Sequence, residues 1–266
     1  MLVAHLSDIH VGGSRYEERL LATAVEEVNR EGPDLVVVAG DLTGSGYEDE
    51  FRGAREALDR VECDRLVVVP GNHDARNVGD LRFEEYFGER HTQHRLSCSG
   101  VDVALVAIDS SEPDIDEGEV GRDRYQFLRA GFAEAADLRI LLIHHHLVSI
   151  PGTGRERNQL LDAGDVLALL RDECVDLVLS GHRHVPYVWP IAGTLVVHAG
   201  TSSTRRVRRF PEPAYNLLRI DDVAISVELC VPGGRRLSLG RYPRAWPADL
   251  AGRRIDPWAE EHPPAR

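Results

Sequence analysis

The segment Asp34-Leu-Val-Val-Val-Ala-Gly-Asp41 places this chain in the α/β class. Its five consecutive apolar residues predict a strand buried on both faces, which is typical of a parallel sheet covered by other layers. Apolar runs at 2–7 and 65–69 are predicted as strands on either side of it along the chain. Amphipathic segments near 15–30 and after Ser45 are predicted as the intervening helices. The order βαβαβ predicts a functional site at the carboxyl ends of the strands.

Two local patterns are interpreted as the starts of these helices. Ser14-x-x-Glu17 matches the capping box, in which two side chains satisfy the first free N–H groups of a helix, and Ser45-x-x-Glu48 is predicted to open the next helix. We therefore expect one helix to begin near residue 15 and the next near residue 46.

In the rest of the chain, predicted strands and helices alternate less regularly. Runs at 93–98 and 101–108 around Ser99-Gly100 predict a hairpin, and a helix is predicted near 121–136. Strands are predicted at 139–143 and 176–180, followed by mostly β structure after residue 184. We expect a single domain over residues 1–231. Residues 232–266 form a tail rich in Pro, Gly and Arg, either packed on the body through Trp246 and Trp258 or mobile.

Side chains that commonly bind metals follow nearly every predicted strand. Seven such donors are more than one tetrahedral ion needs and are suited to two ions that share a carboxylate. No cysteine takes part, and oxygen and nitrogen donors favour Mn, Fe, Zn, Co or Ni. The candidates are Asp8 and His10 in S-D-I-H, Asp41 in G-D-L, Asn72 in G-N-H-D, one histidine of His144-His145-His146, and His182 and His184 in G-H-R-H.

The spacing within these motifs leads to further expectations. Residues i and i+2 of a strand face the same way, so Asp8 and His10 are predicted to reach one ion from such a strand end. Asp41 follows a glycine that allows close backbone approach, and its two oxygens are suited to bridging two cations. Among the three consecutive histidines we favour His144, because it ends the buried strand, with His145 as the alternative.

Two further residues of G-N-H-D are candidate catalytic groups. His73 is adjacent to the candidate ligand Asn72 and cannot easily share its ion, so it is free to act on a substrate. Asp74 is predicted to accept a hydrogen bond from the His73 ring, which would set its tautomer and raise its basicity.

Taken in order, the motifs D-x-H, G-D, G-N-H-D, H and G-H-x-H resemble those of the calcineurin-like metallophosphoesterases from residue 5 to about 200. Their order and the chain length are most similar to the bacterial 3′,5′-cyclic-nucleotide phosphodiesterases and glycerophosphodiesterases. The resemblance implies an α/β (α+β) fold, a four-layer αββα sandwich of two mixed β-sheets flanked by helices. It also implies two ligand sets, namely Asp8, His10, Asp41 and His184 for one metal, and Asp41, Asn72, one of the three histidines and His182 for the other.

This resemblance implies an enzyme, a hydrolase of phosphodiesters, with cyclic nucleotides among the candidate substrates. Two ions (Mn, Fe, Zn or a mixture) would hold a bridging hydroxide that attacks phosphorus in line with the leaving oxygen. His73, supported by Asp74, would stabilise the charge or protonate the leaving group. The alternatives are a phosphomonoesterase or a DNA nuclease on the same core, and a scaffold that has lost catalysis.

Composition limits the partners. A net charge of -13 and a pI near 5.4 argue against tight non-specific binding to nucleic acid, which needs a basic surface. No apolar run is long enough to span a membrane, and the first strand leaves no room for a signal peptide. Four cysteines, far apart in sequence, are interpreted as buried thiols. We expect a cytoplasmic protein that acts on a small-molecule phosphoester, with a homodimer left open.

Two charged stretches have no assigned role. The basic residues between Arg205 and Arg209 could clamp a phosphate, although a solvated loop is the simpler interpretation. The acidic run from Glu112 to Glu119 is predicted to be a solvated loop, with a position over the pocket as the alternative.

Overall fold

The computed structural model describes residues 1–153, 158–191, 193–207 and 210–244. Within these residues, twelve strands and five α-helices form one arrangement of layers. In chain order they are β1 (Leu2–Leu6), α1 (Glu18–Glu31), β2 (Leu35–Ala39), α2 (Glu48–Leu58), β3 (Leu66–Val69), α3 (Gly79–Phe87), β4 (Thr92–Cys98), β5 (Val101–Ile108), α4 (Tyr125–Phe132), β6 (Leu138–Ile143), α5 (Ala163–Asp172), β7 (Leu177–Ser180), β8 (Tyr187–Ile191), β9 (Thr194–His198), β10 (Tyr215–Ile220), β11 (Ala224–Cys230) and β12 (Arg236–Pro243).

The strands form two mixed sheets of six strands each. The first has the order β12-β11-β10-β1-β2-β3, with β1, β2 and β3 parallel and the remaining pairs antiparallel. The second has the order β4-β5-β6-β7-β9-β8, with parallel pairing from β5 to β9 and antiparallel edge strands. In the second sheet the parallel strands are therefore flanked by antiparallel edge strands, whereas in the first sheet the parallel strands run from β1 to the edge strand β3.

Three apolar layers hold these sheets and helices together. Side chains such as Val37 and Leu105 fill the space between the two sheets. Helices α1, α2 and α3 cover the outer face of the first sheet, with Phe51 buried against it. Helices α4 and α5 cover the second sheet in the same way. The predicted αββα sandwich is confirmed, and its physical basis is that both sheets bury both of their faces.

The start of α1 differs from the sequence prediction. α1 begins at Glu18 with Glu17 as its N-cap, so the capping box predicted from Ser14 is wrong. α2 begins at Glu48, in the segment predicted to open it, and its N-cap is Tyr47. The carboxylate of Glu50 accepts hydrogen bonds from the backbone N–H groups of Ser45 and Tyr47. The apolar faces that pack on the sheet were identified from periodicity, which does not specify the terminal residues.

Two elements have no counterpart in the sequence prediction. Helix α3 packs Phe83 into the layer outside the first sheet. Strand β12 pairs antiparallel with β11 and forms the edge of the first sheet. The first part of the predicted tail is therefore a sheet strand, while the division of domains at residue 231 stays a prediction. Residues Trp246 and Trp258 lie outside the described residues.

Two expectations from composition can be compared with the described residues. None of the helices in them is long and apolar enough to cross a membrane. The four cysteines are free thiols, as expected, but the prediction that all are buried is wrong, since Cys174 is exposed and Cys63 half-buried.

Candidate metal centre

The candidate ligands lie just beyond the carboxyl ends of strands from both sheets. Asp8 and His10 follow β1, and His182 and His184 follow β7, at the strand ends where the sequence predicts them, but the backbone there is not the extended backbone on which the i, i+2 argument relies. Instead, Asp8, His10, Asp41, His182 and His184 all have left-handed backbone, with φ between 54 and 73°. Residues other than glycine rarely adopt this conformation, which costs on the order of 1–3 kcal/mol and is concentrated at functional sites.

One set of side chains, which we call the Asp8 group, contains Asp8, His10, Asp41 and His184. One donor atom from each lies within 4.8 Å of those of the others, and all four residues are buried. The Nε2 atoms of His10 and His184 are 2.9 Å apart. Asp8 Oδ1 is 3.2 Å from His184 Nε2 and 3.9 Å from His10 Nε2. Four electron-pair donors therefore converge on one point.

A second set, the Asn72 group, contains Asp41, Asn72, His144 and His182. Asn72 Oδ1 lies 3.1 Å from His144 Nε2 and 3.0 Å from His182 Nδ1. The two imidazole nitrogens are 3.3 Å apart. The amide nitrogen of Asn72 donates to Asp116 at 3.1 Å, which leaves its oxygen facing the histidines.

Asp41 belongs to both groups. Its Oδ2 lies 3.5 Å from His10 Nε2, and its Oδ1 lies 3.3 Å from His144 Nε2. The backbone N–H of His73 donates to Oδ1 at 2.8 Å and holds the carboxylate in this orientation. One carboxylate therefore faces two separate sets of donors, as bridging of two cations requires.

Hydrogen bonds orient the donor atoms toward the two groups. The Nδ1 of His184 donates to the carbonyl oxygen of Arg206 at 2.5 Å, and that of His144 donates to Ala39 at 2.6 Å. In both rings this leaves Nε2 to face the site. Such support of an imidazole through its other nitrogen is the usual arrangement around protein-bound metals.

The donor set fits a cation, and Asp8 provides the clearest test. Its Oδ2 accepts hydrogen bonds from Ser7 Oγ at 2.6 Å and from the backbone of His182 at 3.0 Å. Its Oδ1 is fully buried and has no hydrogen-bond donor among the described residues. Burial by itself would raise the pKa of this carboxyl, but the interaction with His184 lowers it. The charged form of Asp8 is therefore favoured. A buried ionised oxygen without a donor is costly unless a positive charge is bound beside it.

The protonation of the histidines is also suited to metal binding. Burial lowers the pKa of His10 to about 3 and that of His182 well below its usual value, so both rings are neutral at pH 7. His144 differs, because the carboxylate of Asp41 outweighs the effect of burial and raises its pKa. Neutral imidazole is the form that binds a metal, and a metal ion competes with a proton for His144 Nε2.

Close packing explains the glycines of the motifs. A Cβ atom on Gly71 would lie 2.4 Å from Asp41 Oδ1, and one on Gly181 would lie 1.8 Å from Ser7 Oγ and 2.6 Å from Asp8 Oδ2. Neither distance is sterically allowed. The glycines of G-N-H-D and G-H-R-H are therefore required for the two loops to approach the candidate ligands.

The other two histidines of the triplet differ from His144 in their surroundings. His145 also lies close to His144 and His182 and could complete a three-histidine set. Its two ring nitrogens, however, contact Ser110 Oγ at 2.8 Å and the carbonyl oxygen of Asp116 at 3.3 Å. His146 is buried, and its Nδ1 has no hydrogen-bond partner among the described residues. These contacts favour His144 as the ligand within the Asn72 group.

The predicted hydrogen bond between His73 and Asp74 is wrong. The Nδ1 of His73 donates to the carbonyl oxygen of Gly44 at 2.6 Å. The carboxylate of Asp74 is buried and accepts hydrogen bonds from backbone or side-chain groups of Leu42, Thr43 and Gly71. Asp74 thus ties the loop after β3 to the loop after β2, while Gly44 orients the His73 ring.

A small polar pocket opens onto both groups. Asp41, Asn72, His73, His182 and His184 line its floor. The sequence did not predict that the rim residues line one pocket, because these side chains come from loops that have no regular spacing relative to one another. Arg206 belongs to the basic stretch Arg205–Arg209, whose Arg208 and Arg209 lie outside the described residues, and Asp116 belongs to the acidic run Glu112–Glu119. The other rim residues are Arg76, Asn158 and Arg183.

Residues 1–186 match the model of the calcineurin-like phosphoesterase family. This match covers more than half of the chain, and the protein belongs to that family. The resemblance inferred from the motifs is therefore confirmed.

Individual relatives are more distant. The chain is 27% identical to a probable glycerophosphodiester phosphodiesterase GpdQ of Arcobacter nitrofigilis, over 55% of this chain and 57% of that protein. It is 26% identical to a probable cyclic nucleotide phosphodiesterase of a Synechococcus species, over 63% of this chain and 64% of that protein. The chain thus spans less than two thirds of the length of these relatives.

Solved structures support the fold. The purple acid phosphatase PPD1 of yellow lupin superposes with a TM-score of 0.70 at 15% identity, covering 91% of this chain and 53% of that one. GAP50 of Plasmodium superposes with a TM-score of 0.68 at 15% identity, covering 91% of this chain and 88% of that one. Identities this low establish a shared architecture and nothing about the reaction.

Proposed function

We propose that this protein is a metal-dependent hydrolase of phosphodiesters. The observation that carries the proposal is the orientation of Asp41, whose two oxygens face the Asp8 group and the Asn72 group. Two relatives named as phosphodiesterases support the same class of reaction.

In this proposal two metal ions are held, one by the Asp8 group and one by the Asn72 group. When bound, they would activate a water molecule and neutralise the phosphoryl oxygens. Donors that are all oxygen or nitrogen favour Mn, Fe or Zn. His144 rather than His145 would be the ligand, because both ring nitrogens of His145 already contact Ser110 and Asp116.

The protein supplies the proton chemistry and the positioning. The ring of His73 lies 4.5 Å from that of His10, centroid to centroid, and lines the pocket. Because Nδ1 donates to Gly44, Nε2 is the ring atom available for the leaving-group oxygen. In its imidazolium form, with a proton on Nε2 as well as on Nδ1, His73 would stabilise charge on that oxygen or give it the Nε2 proton, while Gly44 maintains the ring orientation.

We assign small phosphodiesters as the substrate class. The relatives named for glycerophosphodiesters and cyclic nucleotides share this bond type. The net charge of -13 opposes a long nucleic-acid substrate, because such binding depends on neutralising many phosphates.

Metal-free protein, reconstituted with Mn²⁺, Fe²⁺ or Zn²⁺ and analysed for metal content, tests the proposal. We expect turnover of bis-p-nitrophenyl phosphate, glycerophosphodiesters or cyclic AMP that requires metal. Failure of the fully loaded protein to hydrolyse any phosphodiester would refute it. Preferential hydrolysis of p-nitrophenyl phosphate would assign the protein as a phosphomonoesterase instead.

A further inference from the structure

Asp116 is an acidic side chain in the rim of the pocket, and no metal-ligand motif contains it. It lies in the loop between β5 and α4, within the acidic run that was predicted to be solvated. Its Oδ1 accepts a hydrogen bond from Arg76 Nη2 at 2.7 Å and from Asn72 Nδ2 at 3.1 Å. The side chain is partly exposed and lines the pocket, so at this residue the loop has the position over the pocket that was the alternative.

The loop that carries Asp116 is fixed against the rest of the site. The backbone N–H of Asp114 donates to the carbonyl oxygen of Ala75, and the carboxylate of Asp114 accepts from the backbone of Asn77. The carbonyl oxygen of Asp116 itself contacts His145 Nε2 at 3.3 Å. With these contacts on both sides, the Asp116 carboxylate cannot withdraw from the rim without breaking several hydrogen bonds.

The same carboxylate offsets a positive charge at the pocket. Arg76 lies beside His73, with Nη1 3.1 Å from the ring nitrogen Nδ1, and it would otherwise attract an anion bound there. Arg183 and Arg206 remain on the rim, and the guanidinium of Arg183 also donates to the carbonyl oxygen of Thr153 at 3.2 Å. Arg76 and Asp116 together therefore contribute no net charge.

We propose that Asp116, paired with Arg76, makes the pocket select singly charged phosphodiesters over doubly charged phosphomonoesters. This inference rests on the proposed function and assigns its specificity. A phosphodiester carries one negative charge, whereas a phosphomonoester carries nearly two at neutral pH. A fixed carboxylate at the rim repels the additional negative charge of a monoester. By pairing with Arg76 it also neutralises the guanidinium that would otherwise attract that charge.

The expected size of the discrimination between the two kinds of ester depends on how exposed the Asp116 and Arg76 side chains are. The Asp116 side chain is 44% exposed and that of Arg76 is 31% exposed, so solvent screens the interaction. For charges several ångströms apart near a protein surface, we expect discrimination on the order of tenfold.

Two substrates with the same leaving group test the inference, p-nitrophenyl phosphate and methyl p-nitrophenyl phosphate. The full chain, loaded with Mn²⁺ and analysed for metal, is compared with Asp116→Asn, Arg76→Gln and the control Glu112→Gln. Glu112 lies in the same loop and gives the same change of charge, but it is not among the described residues that line the pocket. Inhibition constants for inorganic phosphate and dimethyl phosphate supply a second measurement, which reports binding and does not depend on the rate of hydrolysis.

We expect Asp116→Asn to raise the ratio of monoester to diester kcat/KM about tenfold and to tighten inhibition by phosphate but not by dimethyl phosphate. Arg76→Gln should lower the ratio of monoester to diester kcat/KM and weaken inhibition by phosphate. Glu112→Gln should leave both measurements unchanged. The inference would be overturned if Asp116→Asn left the ratio of monoester to diester kcat/KM unchanged, or if Glu112→Gln changed it equally. It would also be overturned if Asp116→Asn lost metal and lost the same fraction of kcat/KM on both substrates. Turnover of the diester by the wild-type protein tests the proposed function separately.

Discussion

Asp41 Oδ1 lies 3.3 Å from His144 Nε2, and this contact joins the ends of the two sheets. Asp41 follows β2 in the first sheet, and His144 follows β6 in the second. The pKa of His144 is raised by this carboxylate against the effect of burial, so the position attracts positive charge. Binding of a metal ion at this contact would therefore link the two layers of the sandwich.

Removal of the Asp41 carboxylate should affect both groups. We expect Asp41→Ala to lose at least one of two metal equivalents and to lower turnover by on the order of 10³-fold, because each group loses its shared anionic ligand. Elemental analysis and kinetics of the reconstituted protein provide the measurement. Two full equivalents in the variant would contradict the bridging role.

His73 should affect the reaction without affecting the metals. We expect His73→Ala to retain its metal content and to lose about 10²-fold in turnover of substrates with poor leaving groups. Loss should be smaller for p-nitrophenyl esters, whose leaving group needs little protonation. Equal losses on both kinds of ester would mean that His73 does not assist the leaving group.

Gly181 should be intolerant of a side chain. A Cβ would collide with Ser7 Oγ and Asp8 Oδ2, so Gly181→Ala should destabilise the protein by about 1–3 kcal/mol and weaken metal binding. The matched control is Gly164→Ala in α5, where a Cβ meets no atom within 4 Å. That variant should be stabilised by about 0.5–1 kcal/mol, since glycine disfavours helix. Denaturant unfolding of both variants, with and without metal, compares them; equal effects would refute the steric explanation.

Buried histidines away from the ligands should make the fold sensitive to acid. Burial lowers the pKa of His5 and His198 to about 3, compared with the ordinary value of 6.5. Below pH 6.5 the unfolded chain binds protons that the folded protein excludes, so stability falls as pH decreases toward 3. The slope for each histidine approaches about 1.4 kcal/mol per pH unit.

The measurement is the free energy of unfolding of chelator-treated protein between pH 7.5 and 5.5. We expect His198→Asn to lower the slope relative to the wild type, because one of these titrating groups is absent. Identical slopes would show that His198 does not exclude the proton.

The regular parts of the fold were predicted from local pattern. The apolar run of β2 is buried along its whole length, and the hairpin of β4 and β5 turns at Ser99-Gly100 as expected. Helix α3 was missed because its sequence, from Gly79 to Phe87, is mixed in polarity and begins with a poor helix former. Strand β12 was missed because it lies at an edge and none of its residues is buried, so its sequence lacks a run of apolar side chains facing the core.

The candidate metal centre, like the fold, was predicted only in part from the sequence. The motif order predicted which side chains come together, and the structure places all seven favoured candidates in the two groups. The i, i+2 spacing of an extended strand is not what brings Asp8 and His10 to one group, because left-handed loop backbone presents both residues. Asp74 was assigned to His73 from adjacency in sequence, whereas its hydrogen bonds are with the loop after β2.

The sequence by itself determined the α/β class and the chemistry of the donors, because apolar periodicity and residue type are local properties. Only the tertiary structure decided which oxygen of Asp41 faces which histidine, which ring nitrogen of His144 is already used, and that Asp116 lies at the pocket. These depend on contacts between segments far apart in the chain, which form when the two sheets pack and which no local pattern encodes.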